Sequence, residues 1–494
     1  MPPSRSRRAS CAAQPPGDSE PVEGSEWRPA LLPFAFSVAR PGGPGRVKLK
    51  GNGFFFESFF GRILSPFERF LKRTTAGGLI LILAVVASLF LANYGPLQHI
   101  AAVWEKPLRV GVGNFNLEMT LHNWINDGLM TLFFLLVGLE LKRELLVGEL
   151  SSFKDAALPI IAALGGMIVP AAIYLIINPH GPAARGWGVP IATDIAFAVG
   201  ILVLLDRRVP PSLIVFLTAL AIADDLGAVA VIAFFYTGQL QTLALLAAAM
   251  LLAVLFVINR GGIRNPLPYA VIGVFLWFSM LKSGIHPTVA GILLAWAIPA
   301  KSAFTPPDFA ARIEQLQDEL YEESFDPYAC DHALGCPAMA SVAENLEKAA
   351  RAVQSPLQHM EHAIGPWVTF LILPLFALSN MGVDFSKLSL HAALGNIALG
   401  VFLGLVFGKF TGIFLFSWLA VKFRIAKLPS KVSWRQMLGI GWLGGIGLTM
   451  SLFISNLAFE GPVHLEEAKT GILAASIVAA PIGLAWLCFL GKTD

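Results

Sequence analysis

The sequence predicts an all-α polytopic membrane protein of twelve transmembrane helices, built as inverted-topology repeats in which the fourth and eleventh helices are broken and cross. Three observations lead there. Of the 494 residues 55% are hydrophobic and only 14% charged, with a mean hydropathy of +0.66. Soluble domains are about a quarter charged, so this chain has more apolar surface than a water-facing exterior accepts. Apolar runs of the roughly 20 residues that a helix needs to cross a bilayer recur along the chain. Finally, a few ionisable residues and helix breakers sit inside those runs. The same composition excludes a disordered, collagen-like or nucleic-acid-binding chain, and a net charge of +3 is too small to indicate a polyanion partner. Cys11, Cys330, Cys336 and Cys488 are too few and too scattered for a disulfide framework.

Taken in order, the spans are read at 76–93, 122–142, 156–177, 188–205, 211–236, 241–258, 266–280 and 284–299, then at 360–380, 393–420, 434–457 and 467–490. Residues 65–301 thus hold helices one to eight and 359–494 hold helices nine to twelve. The seventh and eighth are short. An even number returns both termini to one side, and Lys and Arg in the short loops choose which. Lys142, Arg143, Lys154, Arg207, Arg208, Arg260, Arg264, Lys422, Arg424, Lys427, Lys431 and Arg435 make twelve on one side. Lys106, Arg109, Arg185, Lys282 and Lys387 make five on the other. The richer side, with the N- and C-termini, is expected to be cytoplasmic.

Two segments stand outside the membrane. Residues 1–64, rich in Pro, Gly and Arg, read as a disordered basic cytoplasmic tail. Its opening Ser4-Arg5-Ser6-Arg7-Arg8 is followed by Pro, Gly and acids rather than the apolar core of a signal peptide. Its Phe54-Phe55-Phe56 and Phe59-Phe60 cluster suits either the headgroup interface or a sticky linker. Residues 302–358 form an acidic cytoplasmic insert, with ten acidic and three basic residues and helical periodicity around 309–320 and 342–353. Between these halves, Cys330-Asp331-His332 and Cys336 lack a second ligand pair and read as a loop before a metal site.

Ionisable side chains are expensive in hydrocarbon, so those inside spans are functional candidates. The fourth span contains Thr193-Asp194 after Pro190, the fifth Asp224-Asp225, and the tenth Lys409 between Gly408 and Phe410. Adjacent helical residues point about 100° apart, so Asp224 and Asp225 cannot share one environment. One can face a water-filled cavity while the other meets a neighbouring helix, with Lys409 as the buried counter-charge. Such carboxylates can exchange protons for a hard cation, because proton and metal compete for the same lone pairs. The other reading is a structural ion pair with a spare carboxylate, which structure alone does not require.

Pro190 and the run Gly444-Gly445-Ile446-Gly447-Leu448-Thr449 suggest breaks in the fourth and eleventh spans. The three-helix sets that contain them begin on opposite sides, as inverted repeats require. Where two broken helices cross, Asp194 would offset the facing N-termini and Lys409 the facing C-termini. A glycine-rich packing seam is the alternative for the eleventh span.

Trp124-Ile125-Asn126-Asp127, Phe133–Glu144, Ala192–Phe197, Ala219–Ala228 and Gly445–Ser451, in this order and joined by Lys409, resemble the NhaA family of bacterial sodium/proton antiporters. The likeness runs from about Ser65 to the C-terminus and leaves out the insert. It implies a protein of the bacterial inner (plasma) membrane, not an enzyme and without a cofactor, that exports Na⁺ or Li⁺ for more than one H⁺ per ion. Transport would be electrogenic and pH-regulated. By the resemblance, Asp225 binds the cation and exchanges protons, while Asp224 assists and pairs with Lys409 when no ion is bound. These two carboxylates are then the ligands of the transported metal ion. Thr193 would lie beside it and Asp194 would balance helix dipoles. Lys409 is either structural or itself a proton carrier.

The family's pH-sensing funnel corresponds to Glu140, Arg143, Glu144, Glu361 and His362, which also read as ordinary solvated helix ends. His286 matches a histidine tied to pH response, or is merely packed. Leu108–Leu121, turning at Gly113-Asn114, matches the β-hairpin through which the family forms homodimers; a plain loop is the other reading. The implied partners are Na⁺, Li⁺, H⁺ and the lipid bilayer, with no nucleic acid. The tail, the insert beside Glu361, and Pro287 after His286 depart from the pattern.

A passive cation channel and, further off, an intramembrane aspartyl protease are the alternatives. A channel favours repeated charged or carbonyl rings. A protease needs two carboxylates sharing a proton across separate helices, which adjacent Asp224 and Asp225 cannot do.

Overall fold

The computed structural model describes residues 75–94, 102–112, 115–148, 150–205, 208–322, 337–383 and 395–490. The tail 1–64, the Gly113-Asn114 turn, Arg207, Lys387, and Cys330-Asp331-His332 with Cys336 lie outside the described residues. The apolar runs become helices. Helix α1 (Thr75–Asn93) is followed by the antiparallel strands β1 (Pro107–Val112) and β2 (Phe115–Thr120), then by α2 (Leu121–Val147) and α3 (Phe153–Ile177). A 3₁₀ segment, Arg185–Ile191, leads to α4 (Ile195–Leu204), α5 (Pro211–Phe235), α6 (Thr242–Arg260), α7 (Pro266–Ser283) and α8 (Val289–Ala297). The insert supplies α9 (Pro306–Glu322) and α10 (Pro337–Val353). Last come α11 (Pro356–Asn380), α12 (Asn396–Lys422), α13 (Trp434–Gly444), α14 (Leu448–Ala458) and α15 (Pro462–Phe489).

Among the described residues, ten helices are long and apolar enough to cross a membrane, with Gly181–Leu204 counted as one, and the pair α13–α14 makes an eleventh. The segment read as the eighth span differs. Helix α8 has nine residues, about 14 Å of helix against a hydrocarbon core of about 30 Å. Gly284 ends α7 at a φ of +88°, where an added Cβ would meet the Gln239 carbonyl oxygen at 2.1 Å. The turn at His286–Thr288 then uses up residues that would have lengthened α8. Large apolar side chains stay exposed along the spans, among them Leu243 (82%) and Phe234 (81%); that surface suits lipid rather than water.

Two features of the packing set up the interior. Helices α3 and α12 touch backbone to backbone: an added Cβ on Gly165 would meet the Gly412 oxygen at 2.3 Å, and one on Gly412 the Gly165 oxygen at 2.1 Å. Small residues permit such an approach where there is no hydrophobic drive between helices. Three spans also carry a π-helical turn, at Trp124–Leu129, Val368–Ile372 and Gly404–Gly408. The last of these delivers Lys409. Beyond the spans, α9 and α10 pack on each other, and the Ala303 and Phe304 N–H groups donate to Ala352 O at their base. Ser355 and Gln358 form the capping box that starts α11.

Candidate functional site

Two chain breaks meet at the centre of the molecule. The 3₁₀ segment ends at Ile191, Ala192 is extended, and α4 begins at Ile195. Helices α13 and α14 are bent by 45° around Gly445–Gly447. The breaks are joined by the Asp194 N–H, which donates to Ile446 O (2.7 Å), and by the Thr193 hydroxyl, which donates to Gly444 O (3.1 Å). The Asp194 carboxylate accepts from the Phe197 N–H (3.1 Å) as N-cap of α4, and from the Thr449 N–H (3.1 Å) and hydroxyl (2.7 Å) at the start of α14. One buried carboxylate thus serves two helix N-termini.

Asp224 and Asp225 lie midway along α5 and are each 1% exposed. They diverge as adjacent helical positions must. Asp224 pairs through Oδ2 with the Lys409 ammonium, which is fully buried. Lys409 reaches it across the α3–α12 contact, its stem beside Gly166, and Thr193 lies against the same carboxylate. Asp225 instead lines a cavity of about 410 Å³ together with Asp194, Thr449 and Glu140. One oxygen of each, Asp224 Oδ1 and Asp225 Oδ1, is buried without a hydrogen-bond partner.

The charges can be balanced one by one. Each helix N-terminus carries about half a positive charge, so the two facing Asp194 offset it. Lys409 offsets Asp224. Asp225 is left with no positive partner among the described residues, and an enclosed carboxylate in that position needs a proton or a small cation. Oxygen donors suit a hard cation. The Gly444 carbonyl at the end of α13 accepts from Thr193, and the Lys409 ammonium goes to Asp224. Among the described residues no group of three or more His, Cys, Asp or Glu is arranged to hold a resident metal ion.

The residues matched to a pH sensor fall into separate places. Arg143 joins Glu361 and, at 3.2 Å, Glu144, near the end of α2. Glu361 Oε2 is buried and unpartnered, and His362 is exposed beside it. Glu140, one turn before Glu144, reaches inward to the cavity wall. His286 lies towards the opposite end of α2, with Nε2 at 3.4 Å from Asp127 and Nδ1 at 2.7 Å from the Thr288 hydroxyl. Sequence reasoning missed Thr449 as a site residue. Its signal was a hydroxyl in the first turn after a glycine break, where free N–H groups need partners.

The sequence model of the family described as Na⁺/H⁺ antiporter 1 matches residues 68–487. The Na⁺/H⁺ antiporter NhaA of Syntrophobacter fumaroxidans is 58% identical over 445 residues, covering 90% of this chain and 94% of its own length. That of Acidithiobacillus ferrooxidans is 53% identical over 430 residues (86% and 97%). The NhaA 1 of Saccharophagus degradans is 47% identical over 439 residues (88% and 94%).

Proposed function

Because the chain belongs to the Na⁺/H⁺ antiporter 1 family, we propose that the cavity around Asp225 is where Na⁺ and H⁺ exchange. The protein is a multi-pass sodium/proton antiporter, a transporter and not an enzyme. The observation that carries the site is the uncompensated Asp225 carboxylate on the cavity wall, with Asp224 held by Lys409 and Asp194 by two helix N-termini.

Asp225 takes Na⁺ or Li⁺, and sheds its proton as it does so. Asp224 assists with its unpartnered oxygen, and Thr193 lies beside the ion. Because proton and cation exclude one another, exchange needs no separate coupling device. The loaded site turns to the other face by motion of one helix bundle against another, and protons there displace the ion. More than one proton returns per ion, so transport is electrogenic. Acidic pH on the loading side stops it by keeping the carboxylates protonated. Glu140, Arg143, Glu144, Glu361 and His362 tune that response, with His286 a further contributor.

The chain lies in a bacterial inner membrane with both termini cytoplasmic, on the side richer in Lys and Arg. Twelve crossings in inverted repeats fit this placement. In support, the Gly238 N–H donates to Gly284 O at one end of the α8 segment, and the Asn259 amide to Ala297 O at the other; the segment therefore runs alongside all of α6. The β1–β2 hairpin, with an Arg109–Glu118 pair across its strands, joins two copies into a homodimer.

The test uses inverted vesicles with an imposed pH gradient, to which Na⁺, Li⁺ or K⁺ is added between about pH 6.5 and 9. Collapse with Na⁺ and Li⁺ but not K⁺, absent in Asp225→Asn, is the expected result. Undiminished collapse in that variant rejects the assignment.

A further inference from the structure

At the end of α2 remote from Arg143, the route from the cavity is closed by two stacked layers, each built by the same three elements. The cavity wall includes Phe133 of α2, Leu373 of α11 and Met450 of α14. Past it, Phe134, Phe376 and Phe453 from those helices meet in one buried cluster, with ring centroids 5.4 Å apart for Phe134–Phe453 and 6.2 Å for Phe376–Phe453. A turn further along α11 and α14 lie Asn380 and Asn456, and α2 contributes Asn126. Asn126 and Asn380 exchange side-chain amide bonds of 2.9 and 3.3 Å, and the Asn456 amide donates to the same Asn380 oxygen at 2.6 Å. The amide of Asn126 also donates to His122 Nε2 at 3.0 Å. Asn380 is fully buried.

We propose that this asparagine triad is the latch of the outward gate, and that Asn126, Asn380 and Asn456 are positioning residues that set how often the Phe layer parts. The inference rests on the alternating exchange proposed above. The first turn of α14 binds Asp194 through Thr449, and α14 packs on the 3₁₀ segment and α15, so Asn456 shares a helix with a residue of the site. Asn126 and Asn380 belong to the wall opposite. An opening that exposes Asp225 outward must pull α14 from α2 and α11, which breaks the Asn456–Asn380 bond first. Neutral amides suit the task. They hold different helices together, yet leave no bare charge behind when they separate.

The experiment places Met450→Cys in a background where Cys11, Cys330, Cys336 and Cys488 are Ser. A membrane-impermeant thiol reagent is applied from either face, and Na⁺/H⁺ exchange is measured alongside. The parent is labelled from the cytoplasmic face and slowly from outside. Adding Asn380→Ala or Asn456→Ala raises the outside rate on the order of tenfold and leaves inside labelling in place. Outside rates unchanged in both variants, with the parent still exchanging and still labelled from inside, overturn the latch and leave the alternating site standing. A parent that exchanges but is never labelled from inside overturns both. A second variant needs no loss of packing. In Asn380→Cys with Asn456→Cys, a short reducible bis-methanethiosulfonate linker stops exchange and reduction restores it; exchange at the parent rate in the bridged protein overturns the latch.

Discussion

Two acid–base clusters lie in the same membrane protein and differ in access to water. Around Asp224, Asp225, Asp194 and Lys409 every charged side chain is 2% exposed or less. Around Arg143, Glu144 and Glu361 the Arg143 side chain is 37% exposed. In the first, the partners are fixed protein groups, and nothing substitutes when one is removed. In the second, water reaches the Arg143 guanidinium, although Glu361 stays largely buried. On the proposed function, this difference lets one cluster demand a cation while the other only biases when it is accepted.

Breaking the enclosed cluster gives the largest effects. Asp225→Asn should bring exchange to background while the protein still inserts, as read by gradient collapse in inverted vesicles. Lys409→Met leaves Asp224 buried and unpaired, and should cost about 3–5 kcal/mol of stability. Adding Asp224→Asn should recover most of it, whereas Arg143→Met in the more open cluster should cost less than Lys409→Met. Thermal unfolding of the four proteins decides; equal losses at Lys409 and Arg143 would erase the contrast. Thr449→Val removes one hydroxyl from Asp194 and should cost about 1.5–3 kcal/mol, with a higher Na⁺ KM than the parent.

The remaining effects shift the pH profile. Glu140 shares the cavity with Asp225, so Glu140→Gln removes a negative charge that favours the protonated site. Its activity profile should move towards acid by roughly half a unit; a shift towards base would contradict the placement. Deleting 306–354 removes ten acids and three bases and should act in the same direction, more weakly. Two of the insert's carboxyls are held ionised by neighbouring groups. The Lys348 ammonium beside Glu344 holds that carboxyl below its usual range, and hydrogen bonds from Thr305 do the same for Asp308. An effect of such exposed charge should fade between low and high salt, as the Debye length falls below about 8 Å.

Much of this was legible in the chain because charge in an apolar run is conspicuous. Asp194, Asp224, Asp225 and Lys409 stand out from their neighbours, and the 100° step between adjacent helical residues already put the two aspartates in different environments. The helical halves of the insert also follow from periodicity, whereas the paired strands flanking 113–114 were expected only from the family resemblance. Other features stayed hidden because they depend on partners far along the chain. Thr193 meets Gly444, and Thr449 meets Asp194, across about 250 residues. Asn126, Asn380 and Asn456 are neutral and pass unnoticed in sequence; only their convergence gives them meaning. The α8 segment was expected to be a full span, since its composition is apolar, but Gly284 and the following turn shorten the helix.

The most direct test of the central claim is proton release from purified protein in weak buffer on adding Na⁺. If Asp225 holds a proton that Na⁺ must displace, the parent releases protons and Asp225→Asn releases none. Undiminished release from Asp225→Asn would show that the exchanging group lies elsewhere.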